Sequence, residues 1–359
     1  MLLLLILYYQ MDLKILHNAS NILDNYVYRH MDVARVLTRE VYNKPKMFAP
    51  SRDNADAIIF PDFVSVNEPC WEKMQVVSGS ASNKYSHFFE KRNMLADATF
   101  NQSDTIQAII FNSKVKNTLV YNMNYIASPE DINHLFPVYI EIPPYCNVEL
   151  NEAFYNDAKI KIYRIVYVLR EGSTLNISRS IAAGNEEQCM QIIESDVIQH
   201  PGSTFNITAI NNEQHYLQDL YHVKAYKDTT TTITGRYNAT ADNAVHVITD
   251  IDHIGTNCTS NVNVKSVTDD ISKFTFSGNL TVRKEAEGAD AHLQNKNLQV
   301  VDTTTVITEP KLDISTKEIA CTHGCTVSSI DEDQRYLLNT RGIDNITAKQ
   351  LLIEAFLNG

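Results

Sequence analysis

The 359-residue chain carries 43 Asp and Glu against 31 Lys and Arg, a formal net charge of −12. That balance argues against nucleic acid or an anionic membrane as the partner and favours proteins. The length allows two or three domains and a substantial core, and six cysteines without tight regular spacing fit a reducing cytoplasm, or an organellar stroma or matrix, better than a disulfide framework.

The chain opens on MLLLLILYYQ, an apolar run too short to span a bilayer and without a basic flank or cleavage site, so Met11 is expected to be the true start. Residues 12–42 place Leu13 and Leu16, then Leu23, Val27, Met31, Ala34, Leu37 and Val41, at three- and four-residue spacings. This pattern predicts a short and a longer amphipathic helix. From Ala57 the texture changes to AIIFPDFVSV, and Trp71 follows an Asn-Glu-Pro-Cys turn. Residues 1–95 are therefore expected to form a mostly helical N-terminal region.

Residues 96–327 read as one long β body. Short strands follow one another in TIQAIIF, NTLVYNMNYIA, VYIEI and IKIYRIVYVL, and later in TTTTITGRYNAT, NAVHVITDI, NVNVKSV, FTFSGNLTV and NLQVVDTTTVI. These runs are rich in β-branched residues and broken by Gly, Asn and Asp. Two segments repeat: REGSTLNIS from Arg170 and HPGSTFNIT from His200. A Gly-Ser turn feeding an alternating strand, then recurring, is the signature of coils in a β-solenoid. Spacing alone leaves a sandwich open.

The stretch ITEPKLDISTKEIACTHGCTVSSIDEDQRYLLNTRGI from Ile307 concentrates the chemistry. On a strand, Cys321, His323 and Cys325 share one face while Thr322 and Gly324 point the other way. Same-face neighbours lie about 6.6 Å apart, too far for one strand to close a tetrahedral metal site. A partner surface must contribute ligands, or Gly324 must bend the backbone. After Ile330 the period becomes helical: Asp331 is placed to cap a helix through Tyr336, Leu337 and Leu338, and Arg341-Gly342 to end it. A second helix carries Leu351, Leu352, Ala355 and Phe356 on one face. Residues 328–359 thus form a C-terminal helical unit.

Thr308, Pro310, Leu312, Asp313, Ile314, Cys321, Thr322, His323, Gly324, Thr326, Val327, Ile330, Asp331, Gln334, Arg341, Gly342 and Ile343 form an ungapped run. It resembles the SufD branch of the SufB/SufD family of iron–sulfur cluster assembly proteins. His253, Ser260, Lys265, Phe276, Gly278, Val282, Ala286, Ala291, Asn295, Asn297 and Leu298 extend the resemblance upstream. Asn297-Leu298 and His323-Gly324 match SufD, where SufB has C-D-S-L-L and H-E-A-T. Ser328, Ile307 and Leu293 depart from the pattern, as does Cys325, which stands where the family has Ala and is expected to be a small core hydrophobe.

The resemblance implies a mainly β fold, a right-handed parallel β-helix with helical flanks. It also implies a non-catalytic scaffold that pairs with a SufB-like paralogue and docks a SufC-like ABC ATPase, with a homodimer as the other possible assembly. A transient iron–sulfur cluster would be held at the interface with the SufB-like partner through His323 and Cys321. Partner contacts would fall on Asp331, Tyr336, Arg341, Gly342, Leu352 and Phe356. Family members usually continue some tens of residues past this point, so a final helix is expected to be missing.

No P-loop, H-E-x-x-H, C-x-x-C, G-x-S-x-G or Rossmann fingerprint occurs. An alternative reading is a secreted β-solenoid that binds or cleaves carbohydrate. It would use Asp250 and Asp252, which share a strand face, as paired carboxylates, and sequons such as Asn176 and Asn206 as glycan sites.

Overall fold

The computed structural model describes residues 57–59, 64–66, 74–77, 79–89, 106–111, 119–126, 133–156, 160–183, 190–212 and 216–358. The helices expected over 12–42, together with Cys70, Trp71 and Cys189, lie outside the described residues.

From β4 onward, strands alternate between two sheets along the chain. One sheet runs β19 (Ile319–Ser329), β17 (Ala289–Gln299), β15 (Thr259–Thr268), β13 (Thr230–Ala239), β11 (Thr204–Asn212), β9 (Thr174–Ala183), β7 (Asn147–Asn156), β5 (Leu119–Ile126), β1 (Ala57–Ile59), β2 (Val64–Val66). The other runs β18 (Thr305–Ile314), β16 (Lys273–Val282), β14 (Ala244–His253), β12 (Tyr216–Ala225), β10 (Met190–Gln199), β8 (Ile160–Leu169), β6 (Asn133–Ile142), β4 (Gln107–Phe111), β3 (Met74–Val77). From β4 onward all pairing is parallel, so each coil is two strands and two corners of a flattened parallel β-solenoid. Before β4 the described residues hold three short strands, β1, β2 and β3, and a 3-10 helix (Gly79–Phe88), whose Tyr85 stacks on Tyr139 at 4.3 Å.

The repeated Gly-Ser-Thr motif lies where the sequence predicts. Thr174 pairs with Thr204, and Asn206 donates to Asn176 across the same rungs at 2.9 Å. At that corner six successive coils, those that lead into β7, β9, β11, β13, β15 and β17, each place one residue in the left-handed region. The positions are Tyr145, Gly172, Gly202, Asp228, Asn257 and Gly288, with φ between 56° and 74°. Glycine takes this conformation freely and Asn or Asp tolerate it. That is why the recurring motif is visible at Gly172 and Gly202 and hidden at Asp228.

NLQVVDTTTVI is not one strand. β17 ends at Gln299, residues 300–304 turn the corner, and β18 begins at Thr305. QIIESDVIQ and YLQDLYHVKA form β10 and β12 although Glu194, Asp196 and Asp219 interrupt their apolar texture.

Aliphatic side chains stack in columns inside the solenoid. Leu150, Ile177, Ile207, Ile233, Val262 and Leu293 occupy successive rungs at one position, and all are buried. Each contributes about 1.5–3 kcal/mol of transfer free energy. Because a coil covers only its neighbours, the column stabilises the stack cooperatively.

Candidate functional site: the C-terminal coil

The aliphatic column ends on an imidazole. Leu293 pairs with His323, and the flanking rungs pair Ala291 with Cys321 and Asn295 with Cys325. The three side chains predicted to share a face do so, on the side of β19 that faces the interior. β18 and β19 are the last strands of their sheets, so this coil is the open end of the solenoid. His323 is exposed, and Cys321 and Cys325 are half-buried. Burial pushes the Cys321 thiol above its ordinary pKa, so at neutral pH it needs a metal or a neighbouring cation to become a thiolate.

Pairing of β17 with β19 continues unbroken through Gln294 and Gly324. Gly324 therefore does not bend the strand to close a site. Among the described residues no group of three or more His, Cys, Asp or Glu side chains is arranged to hold a metal ion. To hold a metal ion, the row of thiol, imidazole and thiol would need ligands from another surface.

The end coil is held by a ladder of buried amides. Ser266 Oγ donates to Asn297 Oδ1 at 2.7 Å, Asn297 Nδ2 donates to Asn295 Oδ1 at 2.7 Å and to the Thr326 carbonyl at 3.0 Å, and Asn295 Nδ2 donates to the Val264 carbonyl at 3.1 Å. Asn295 and Asn297 thus tie β19 to the coils below. A Cβ at Gly278 would lie 2.6 Å from Leu293 Cδ1, so glycine leaves room for the residue beneath His323. These positions give no signal to strand periodicity, because an interior amide breaks the alternation it is part of.

Helix α1 (Glu332–Thr340) is capped by Asp331, which accepts from Asp333 and Gln334, with Arg341 as C-cap and Gly342 at φ 84°. Asp331 and Gly342 therefore have helix-ending roles. Helix α2 (Asn345–Asn358) lies against the outer face of the first sheet, with Ala348 buried. Lys265 donates to the Phe356 carbonyl at 2.8 Å, and Lys349 pairs with Asp269 at 2.6 Å. Burial, then Lys296, then Arg236 pull the Lys265 pKa down, while its charge complements the negative end of the α2 dipole. Lys265→Met is expected to cost about 1–2 kcal/mol of local stability, read as faster amide exchange across α2 with little change in the β core. Unchanged exchange would exclude this anchoring role. Tyr336 (71% exposed), Leu337 and Ile346 project from α1 and α2, while Leu352 and Phe356 are half-buried.

Asp250 and Asp252 share the outer face of β14 but are engaged separately. Asp250 lies 3.4 Å from His222 Nδ1, and Arg283 holds Asp252 at 2.5 Å. Among the described residues no helix is long and apolar enough to cross a membrane.

The family model described as the SUF system FeS cluster assembly SufBD core domain matches residues 138–356, from within β6 to the last turn of α2. Among curated proteins the chain is 34% identical over 99 residues to the iron–sulfur cluster assembly protein SufD of Escherichia coli, covering 28% of this chain and 23% of that protein. It is 33% identical over 92 residues to an iron–sulfur cluster assembly SufBD family protein of Synechocystis, covering 26% and 20%. To the iron–sulfur cluster assembly protein SufB of Bacillus subtilis it is 28% identical over 105 residues, covering 29% and 23%. The matched stretch thus spans a quarter or less of each of these relatives.

Proposed function

Because the chain belongs to the SufB/SufD family of the SUF iron–sulfur cluster assembly system, we propose that it is a non-catalytic, SufD-like scaffold subunit. It pairs with a SufB-like paralogue through the end coil and docks a SufC-like ATPase on α1 and α2. The observation that carries this reading is the open coil itself. His323 stands exposed on a terminal strand that pairs with β17 along one edge and leaves the other edge free, flanked by Cys321, in a position where the column beneath it is aliphatic. An edge strand offers unpaired backbone groups to another chain, and thiol and imidazole are soft enough to hold iron and sulfide and release them. The cluster is cargo on this surface. The SufD-like assignment draws on His323-Gly324 and Asn297-Leu298, and the apolar side chains of Tyr336, Leu337 and Ile346 suit a protein partner. ATP hydrolysis in the SufC-like subunit would move the interface and expose the cluster.

Anaerobic co-purification with the SufB-like and SufC-like proteins of its source tests the proposal. The complex is expected to form with wild type and with His323→Ala, and the substitution is expected to lower cluster absorbance after reconstitution about tenfold or more. Full loading of the His323→Ala complex would remove His323 from the site. Absence of any complex would remove the scaffold role.

A further inference from the structure

The outer face of the end coil, turned away from Cys321 and His323, carries a separate row of reactive side chains. Asp290 and His292 lie two residues apart on β17 and so share that face. Thr322 stands directly opposite His292 on β19. Asp290 Oδ1 lies 2.9 Å from His292 Nε2, and His292 Nδ1 lies 2.6 Å from Thr322 Oγ1. An ionised carboxylate can only accept, so in the neutral imidazole the nitrogen facing it carries the proton. Nδ1 is then the acceptor, and the Thr322 hydroxyl donates to it. Carboxylate, imidazole and hydroxyl stand in the order that turns a hydroxyl into a nucleophile.

Elsewhere on this face neighbouring rungs bond like to like, as Asn206 does to Asn176, and such contacts only hold the surface together. The Thr322 rung differs in what surrounds it. On the same face of β19 its neighbours are Ala320 and Gly324, so nothing larger than a methyl group flanks the hydroxyl along the strand. A Cβ added at Gly324 would meet no atom within 4 Å. Thr322 itself is exposed, and the side chains of Asp290 and His292 are about half exposed. The hydroxyl is therefore both bonded to a base and open to a reactant from solution.

We propose that Thr322 is an acyl-acceptor site, modified by activated acyl esters and thioesters with His292 as the base and Asp290 as its positioning residue. His292 Nδ1 takes the hydroxyl proton as Thr322 Oγ1 bonds to the carbonyl carbon. The tetrahedral adduct then collapses. The bond from carbon to the leaving oxygen or sulfur breaks, the leaving group departs with that electron pair, and Nδ1 returns its proton to the leaving group or to water. An ester on Thr322 remains. At so open a surface the oxyanion is solvated by water rather than by a preorganised pocket, which restricts the donors to those with a good leaving group. Asp290 keeps the ring proton on Nε2, as the third member of such a row does. The site involves no paralogue, no ATPase and no cluster, so it stands or falls independently of the proposed function.

The test uses the purified full chain with p-nitrophenyl acetate as probe. Wild type is expected to release a burst of nitrophenolate, and peptide mass spectrometry to find the acetyl group on Thr322. Thr322→Val removes the modification and Thr322→Ser restores it. His292→Gln is expected to slow acylation about 100-fold, the low end for general-base catalysis because the site is exposed. Asp290→Asn slows it as well. Its amide donates to Nε2 and so drives the ring proton onto Nδ1, a tautomer change that imidazole nitrogen-15 shifts report directly. Circular dichroism checks that each variant is folded. An unmodified Thr322 in wild type overturns the proposal. So does a burst that survives Thr322→Val with the acetyl group on His292 or a cysteine, or acylation of Thr322 at the wild-type rate in His292→Gln. An unchanged tautomer and rate in Asp290→Asn would remove Asp290 from the site.

Discussion

Arg179→Met is expected to destabilise the protein by about 3–5 kcal/mol, the cost of breaking one partner out of a buried ionic network. Arg179 is completely enclosed within the solenoid. Its guanidinium donates to Glu152 on β7 at 3.1 Å, to Asp219 on β12 at 3.3 Å and to the Tyr167 hydroxyl at 3.0 Å. Tyr167 also donates to Glu152, and Tyr221 and Tyr237 both donate to Asp219 at 2.7 Å. Burial pushes the Asp219 carboxyl up, while Arg179 and the tyrosine hydroxyls pull it back. Removing the guanidinium leaves two carboxylates inside with only tyrosines beside them. A denaturant series measures the loss. The triple variant Glu152→Gln, Arg179→Met, Asp219→Asn keeps acceptors for the tyrosines, removes the charges and is expected to recover much of the stability. A loss below about 1 kcal/mol in the single variant would mean that the network relaxes or admits water.

The second large effect is acid-linked. His253 points into the interior from β14, and its Nε2 lies 2.9 Å from Ser260 Oγ. Burial lowers its pKa to about 4, with nearby Asp252 opposing the shift. The folded state therefore keeps the ring neutral in a range where the unfolded chain, with an ordinary histidine pKa near 6.5, takes up a proton. The unfolded state binds more protons between pH 6.5 and 4, so stability falls as pH is lowered through that window. The His253 contribution to this loss is about 2 kcal/mol at pH 5. Comparing denaturation midpoints at pH 7.5 and 5 for wild type and His253→Gln isolates it. The variant should lose distinctly less stability on acidification, and equal losses would show that the ring is protonated in the folded protein.

Both effects come from residues that strand patterning treats as interruptions. Glu152, Arg179 and Asp219 look like solvated breaks in β-rich texture. Only the register, which stacks Glu152 beneath Arg179 and brings Asp219 across from the opposite sheet, puts them inside. Likewise His253, Lys265, Asn295 and Asn297 enter the sequence reading as matches to a family pattern, without a mechanism. In the structure they are an interior hydrogen bond, a helix anchor and an amide ladder beneath the end coil.

The sequence by itself determined whatever depends on neighbours along the chain. Alternation marked most strands, Gly172 and Gly202 marked one corner, Asp331 and Gly342 bounded the first helix, and the two-residue period set Cys321, His323 and Cys325 on one face. Left-handed turns, caps and pleating act over a few residues, so their chemistry is written locally. Tertiary structure alone decided which strand is an edge and which polar residues are enclosed. Those properties belong to the order of strands in the sheets and to contacts between residues 27 and 40 positions apart, as for Arg179 with Glu152 and Asp219. It is that order which leaves His323 exposed at the end of an aliphatic column.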